Sequence, residues 1–164
     1  MTSLHCGNKI WVFIIFVNCL LMVENVSAAT FGCSTGQTDD YRNVALQMNR
    51  QYRQLVAQGK APNKCGQLPS AKNYYEINWD CGLEASAKAA ADTCAFSYSG
   101  TPGEILFIAS ASSPSVAVKN GYMTLVNTPP TNGADPDTYS NANNDWNRMV
   151  NYRALYVGCA SKLC

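Results

Sequence analysis

Histidine is nearly missing: the 164 residues contain one, His5. There is no C-x-x-C pair, no G-x-x-x-x-G-K and no G-x-G-x-x-G. The last two absences exclude the usual glycine-rich phosphate cradles. Charge is also scarce, at 14% of residues with a formal net charge of +1. A chain with so little charge, and no basic stripe or acidic run, has no electrostatic footprint for nucleic acid or an anionic membrane. What is present is a globular composition, 47% apolar and 10% aromatic, in a length that suits one domain with one core.

The amino terminus reads as an export signal. Lys9 precedes the apolar run Ile10 to Val23, broken only by Asn18, and small residues follow at Val26, Ala28 and Ala29. Val26 and Ala28 suit the −3 and −1 positions of signal cleavage, which places the cut after Ala28, with a cut after Ala29 nearly as suitable, and leaves 29–164 as one mature domain. The fourteen residues of the run would cover about 21 Å of helix, short of the roughly 30 Å hydrocarbon core. No second run approaches spanning length, so the mature chain is expected to be secreted, without a membrane span.

Cleavage sharpens both counts. His5 leaves, and the mature chain then holds no histidine. Serine–histidine and cysteine–histidine catalysis and imidazole-based zinc sites are thereby excluded. Cys6 and Cys19 leave as well, so eight cysteines become six: Cys33, Cys65, Cys81, Cys94, Cys159 and Cys164. An even number in an exported chain predicts three disulfides. The only N-x-S/T sequon, Asn25-Val26-Ser27, lies within the signal, so N-glycosylation is not expected.

Hydrophobic periodicity predicts a first helix with Tyr41, Val44, Ala45, Met48, Tyr52, Leu55 and Val56 on one face. Thr38 is its cap, Asp39 and Asp40 suit its positive end, and Gly59 followed by Pro62 ends it. A second helix is expected from about Leu83 to Cys94, capped by Asp80, burying Leu83, Ala87, Ala90 and Cys94, with Glu84 and Lys88 as an i,i+4 pair. A helix there holds Cys81 and Cys94 roughly 20 Å apart, too far to pair with each other; spacing chooses no further among the pairings. A third helix begins at Ser113-Pro114 and runs through Val118, Tyr122 and Leu125 to before Pro129, with Gly121 inside it costing about 1 kcal/mol. Ile105 to Ala109 and Leu155 to Cys159 read as buried strands. The polar stretch from Asn127 to Asn144 is a long loop, the leading contact region on a rigid scaffold.

Several fragments carry a family resemblance. Asn49-Arg50-Gln51-Tyr52-Arg53-Gln54-Leu55-Val56-Ala57-Gln58-Gly59 resembles the H-N-x-Y-R-x-L-x-A-x-G helix of nematode secreted proteins of the CAP superfamily. This superfamily includes cysteine-rich secretory proteins, antigen 5, pathogenesis-related proteins and venom-allergen-like proteins. Leu68 to Tyr74 looks like the L-P-x-A-x-x-M/Y connector, Trp79-Asp80-Cys81-Gly82-Leu83-Glu84 is similar to Y-D-C-x-L-E, and Ala91 to Ser97 follows A-x-x-C-x-F-x-H. Gly103-Glu104 stands where the family has G-E-N. Asp145 to Asn151, then Val157-Gly158-Cys159, resemble H-F-T-Q-M-V-W and V-G-C. The resemblance spans Cys33 to Cys164 and implies an α+β fold, a disulfide-stapled α-β-α sandwich with a small antiparallel sheet. It also implies that the last strand of the family is missing after Cys164.

In much of the family two histidines and two glutamates line a cleft that holds a divalent cation. Carried over, these positions are Asn49, Glu104, Thr124 and Asp145, so only Glu104 is kept. The resemblance, with the missing catalytic groups, implies a non-catalytic secreted protein of a parasitic nematode that binds a host protein or cell-surface receptor, modulating immunity or haemostasis. The alternatives are a carrier of sterol or fatty acid, and a hydrolase using Glu104 and Asp145 as acid and base. No cofactor and no metal site are expected.

Overall fold

The computed structural model describes residues 31–63, 66–127 and 144–164. The expected signal segment, Cys65 and nearly all of the 127–144 loop lie outside the described residues. In chain order the elements are α1 (Asp39–Ala57), β1 (Pro62–Asn63), β2 (Gly66–Gln67), β3 (Asn78–Trp79), α2 (Cys81–Asp92), α3 (Pro114–Asn127), α4 (Asn144–Met149) and β4 (Tyr156–Val157).

The helices start where their caps dictate. Thr38 accepts from the Tyr41 amide and Asp80 from the Leu83 amide, and Ser113 accepts from the Val116 amide at 3.3 Å. Each satisfies an amide that has no partner in the first turn. At the far end of α1 the chain reverses at Gly59 with φ +68°, where an added Cβ would lie 2.9 Å from the Ser70 nitrogen. Only glycine combines that backbone with that approach.

The core forms between α1, α3 and α4. Tyr41, Ala45, Tyr52 and Val56 pack with Val118, Tyr122, Trp146, Met149 and Val150. The indole of Trp146 donates to the Tyr52 hydroxyl at 2.9 Å, with the rings edge to face. α4 was not anticipated from sequence, because six residues are too few to display a helical period. Leu55, expected inward, is at the surface.

A second stripe of α1 is also buried, and it is mostly polar: Arg42, Leu46, Asn49 and Arg53. Its spacing of four, three and four keeps these residues on one face, and each polar head has internal partners. Arg53 donates to the carbonyls of Tyr75, Asn151 and Ala154, and its guanidinium lies 4.4 Å from the Tyr74 ring centroid.

Strand content is small. β1 and β2 pair antiparallel, whereas β3 and β4 pair parallel with Asn78 opposite Tyr156 and Trp79 opposite Val157. The expected strand over Ile105 to Ala109 does not form: the segment is irregular, and Ile108 is 69% exposed. The run carries its apolar character for packing instead. Phe107 lies against Tyr122, at 5.5 Å between ring centroids, and over Gly121. A Cβ at Gly121 would come within 2.5 Å of the Phe107 ring, which explains a glycine inside α3.

The second helix differs from expectation in its buried face. Leu83 is 44% exposed while Glu84 is fully buried, and Lys88 pairs with Asp92 rather than Glu84. Glu84 is drawn inward by Arg42, whose Nε and Nη2 both donate to it at 2.8 Å. Two disulfides fasten the helix at its ends, Cys33–Cys81 and Cys94–Cys164. Cys159, expected in a third bond, is a thiol here; the other four described cysteines are paired among themselves.

Candidate functional site

Glu104 and Asp145, expected from sequence to line a cleft, are brought together by three segments: the turn after α2, the irregular run that begins at Glu104, and α4. Glu104 accepts two hydrogen bonds at 2.8 Å, from the backbone amide and the hydroxyl of Ser99. Asp145, in the first turn of α4, is held on both oxygens. Tyr98 donates to Oδ2 at 2.5 Å, and Arg148, one turn further on, donates to Oδ1 at 3.2 Å. The guanidinium also donates to the Glu104 carbonyl and lies 5.2 Å from the centroid of the Tyr98 ring. Burial first, and then the neighbouring Asp145 carboxylate, push the Tyr98 phenol up to about 12, so it stays a proton donor at neutral pH.

Hydrogen bonds link two of the four predicted positions, and Asn49 is bonded elsewhere. Glu104 and Asp145 are joined through Arg148. Asn49 is buried on α1, and its amide donates to the Tyr122 hydroxyl and to the Ala45 carbonyl; none of its hydrogen bonds reaches Glu104 or Asp145. The Thr124 hydroxyl turns back to the Asn120 carbonyl of its own helix. Sequence reasoning missed Tyr98 and Arg148. The signal for both was present: the A-x-x-C-x-F-x-H pattern ends at Tyr98, and the glutamine of H-F-T-Q-M-V falls at Arg148.

The residues present do not fit a divalent cation. Among the described residues no three His, Cys, Asp or Glu side chains cluster closely enough to hold one. Both Asp145 oxygens are occupied by donors, and the neighbouring group is itself a cation.

Deeper in the core, Asn49, Tyr122 and Cys159 form a chain, with the Tyr122 hydroxyl 3.9 Å from the Cys159 sulfur. Burial pushes the Cys159 thiol up to about 11, which makes it a poor nucleophile at neutral pH. On the outer side of α1, Arg50, Arg53, Tyr74 and Glu76 border an open cleft of about 350 Å³. Arg50 closes one side by pairing with Glu76 at 3.0 Å.

Helices stapled by disulfides around short paired strands define the class of fold, and a family model matches it directly. Residues 35–164 match the cysteine-rich secretory protein family, CAP, and the chain belongs to that family. Ancylostoma secreted protein from Ancylostoma caninum is 32% identical over 143 residues, covering 82% of this chain and 34% of that protein. The crystal structure of Na-ASP-1 superposes with a TM-score of 0.69 at 28% identity, over 82% of this chain and 36% of the other. Scoloptoxin SSD552 from Scolopendra dehaani is 30% identical over 82 residues, 48% of this chain and 37% of the toxin. The chain thus spans about a third of the length of these relatives. No helix among the described residues is long and apolar enough to cross a membrane.

Proposed function

We propose that this chain is a secreted, non-catalytic CAP protein of a parasitic nematode that works by binding host molecules through its surface. The observation that carries the reading is that Asp145 is bonded on both oxygens, by Tyr98 and Arg148, while Glu104 accepts from Ser99 on Oε2. An acid–base pair needs one carboxyl free to give a proton and another free to take one; Asp145, held on both oxygens, is not free for either role. The named relatives, a secreted protein and a scoloptoxin, favour an extracellular site of action after removal of 1–28. The 127–144 loop, outside the described residues, remains the proposed contact region.

Affinity capture from host plasma and cell-surface extracts with the oxidised, secreted chain tests this. A saturable protein partner is expected, released unmodified. Capture of nothing contradicts the reading, and so does a partner that is cleaved. Native mass spectrometry separates out the carrier alternative: stoichiometric sterol or fatty acid on the purified chain would replace host-protein binding as its role.

A further inference from the structure

Where the family pattern H-F-T-Q-M-V places a histidine and a glutamine three residues apart, this chain has Asp145 and Arg148. The two changes answer each other. A neutral ligand has become an anion, and one turn along the same face the chain has gained a cation. We infer that the Arg148 guanidinium is the resident cation of this cleft, standing where the family pattern provides for a divalent ion.

Arg148 reaches both halves of the cleft, donating to Oδ1 of Asp145 at 3.2 Å and to the Glu104 carbonyl. The ion-pair side chains are only 18% and 20% exposed, so solvent screens the pair incompletely. Tyr98 completes the cage from below, its ring facing the guanidinium and its hydroxyl on the remaining oxygen of Asp145. A guanidinium over an aromatic face beside a carboxylate is a favourable arrangement for a fixed cation. A hard divalent ion needs about six oxygen ligands; here it would meet an Asp145 carboxylate already bonded on both oxygens, a Glu104 carboxylate bonded on Oε2, and a positive charge already in place. The Arg148 Nε is buried without a partner, a cost that the contacts to Asp145 and Glu104 must offset. The inference goes beyond the binding role and does not rest on it.

The test uses the full oxidised chain. Titration of the wild type with ZnCl2, CaCl2 and MgCl2 is expected to give no saturable heat, and EDTA or any of these ions to move the thermal midpoint by less than about 1 °C, a small fraction of 1 kcal/mol for a domain of this size. Arg148→Gln should lower the midpoint, Arg148→Lys should recover most of the loss, and Asp145→Asn in the Arg148→Gln background should cost less than Asp145→Asn alone. If Arg148→Gln does not fold, the wild-type titrations and the lysine variant decide. One-site divalent-ion binding by the wild type that is lost in Asp145→Asn overturns the inference. So does an Arg148→Gln midpoint equal to wild type, or a loss that lysine fails to rescue.

Discussion

Glu84 carries more of the fold than any other single side chain on α2. Its carboxylate is fully buried and receives the Arg42 guanidinium through two bonds, the Trp79 indole at 2.7 Å and the Thr35 hydroxyl. Burial alone would raise its pKa, but the donors from Arg42, Thr35 and Trp79 outweigh it and leave the group below the ordinary carboxylate value. The sign follows from linkage. A folded pKa below the unfolded one gives stability that is complete above the unfolded value, near pH 4, and lost as pH falls through the folded value. Glu84→Gln is expected to cost about 3–5 kcal/mol in urea unfolding at pH 7, because it leaves the buried Arg42 with only the partly exposed Asp39 as counter-charge. The same variant should flatten the acid limb of the stability profile below about pH 4. A loss under about 1 kcal/mol, the range of an exposed pair, would contradict this assignment. Sequence pointed Glu84 at Lys88, four residues away, because local spacing is all that a single sequence displays. The partner it takes, Arg42, is 42 residues distant.

At the scale of elements, caps were legible and buried faces only partly so. Thr38, Asp80 and Ser113 are short-range signals and each holds the helix start that its chemistry requires. The apolar face of α1 was also readable. Its polar stripe was not, because Arg42, Asn49 and Arg53 look like solvent-facing residues until the groups that satisfy them are known. The run Ile105 to Ala109 shows the converse: strand-like in pattern, it has no ladder partner in the fold and serves α3 through Phe107. The junction of β4 with α2 is tighter than sequence reveals. A Cβ at Gly158 would lie 2.2 Å from the Glu84 nitrogen, 2.5 Å from the Leu83 carbonyl carbon and 2.7 Å from the Asp80 oxygen, all backbone atoms. No side chain can swing away to make room. Gly158→Ala is therefore expected to destabilise by at least about 1–3 kcal/mol, the usual range for overpacking, read as a lowered thermal midpoint. An unchanged midpoint would show that β4 and α2 are not so closely packed.

For the whole molecule, the disulfides matter as much as the core. They close separations of 48 and 70 residues, and on a chain-entropy argument each restricts the unfolded state by about 4 kcal/mol. Both fasten α2, once to the segment before α1 and once to Cys164, so the peripheral helix is tied at each end. The family was readable from ordered fragments, and the loss of the histidine positions from composition alone. What replaced them was only partly readable: Asp145 and Arg148 lie one turn apart on α4, whereas Tyr98 is 47 residues from Asp145 and meets it only in the fold.

The measurement that tests this most directly compares capture of the host partner by the wild type and by Glu104→Gln and Asp145→Asn, each confirmed as folded by circular dichroism. The account predicts that affinity is retained within about twofold, a change of about 0.4 kcal/mol. A loss of tenfold or more in either variant would contradict it and assign the activity to the cleft itself.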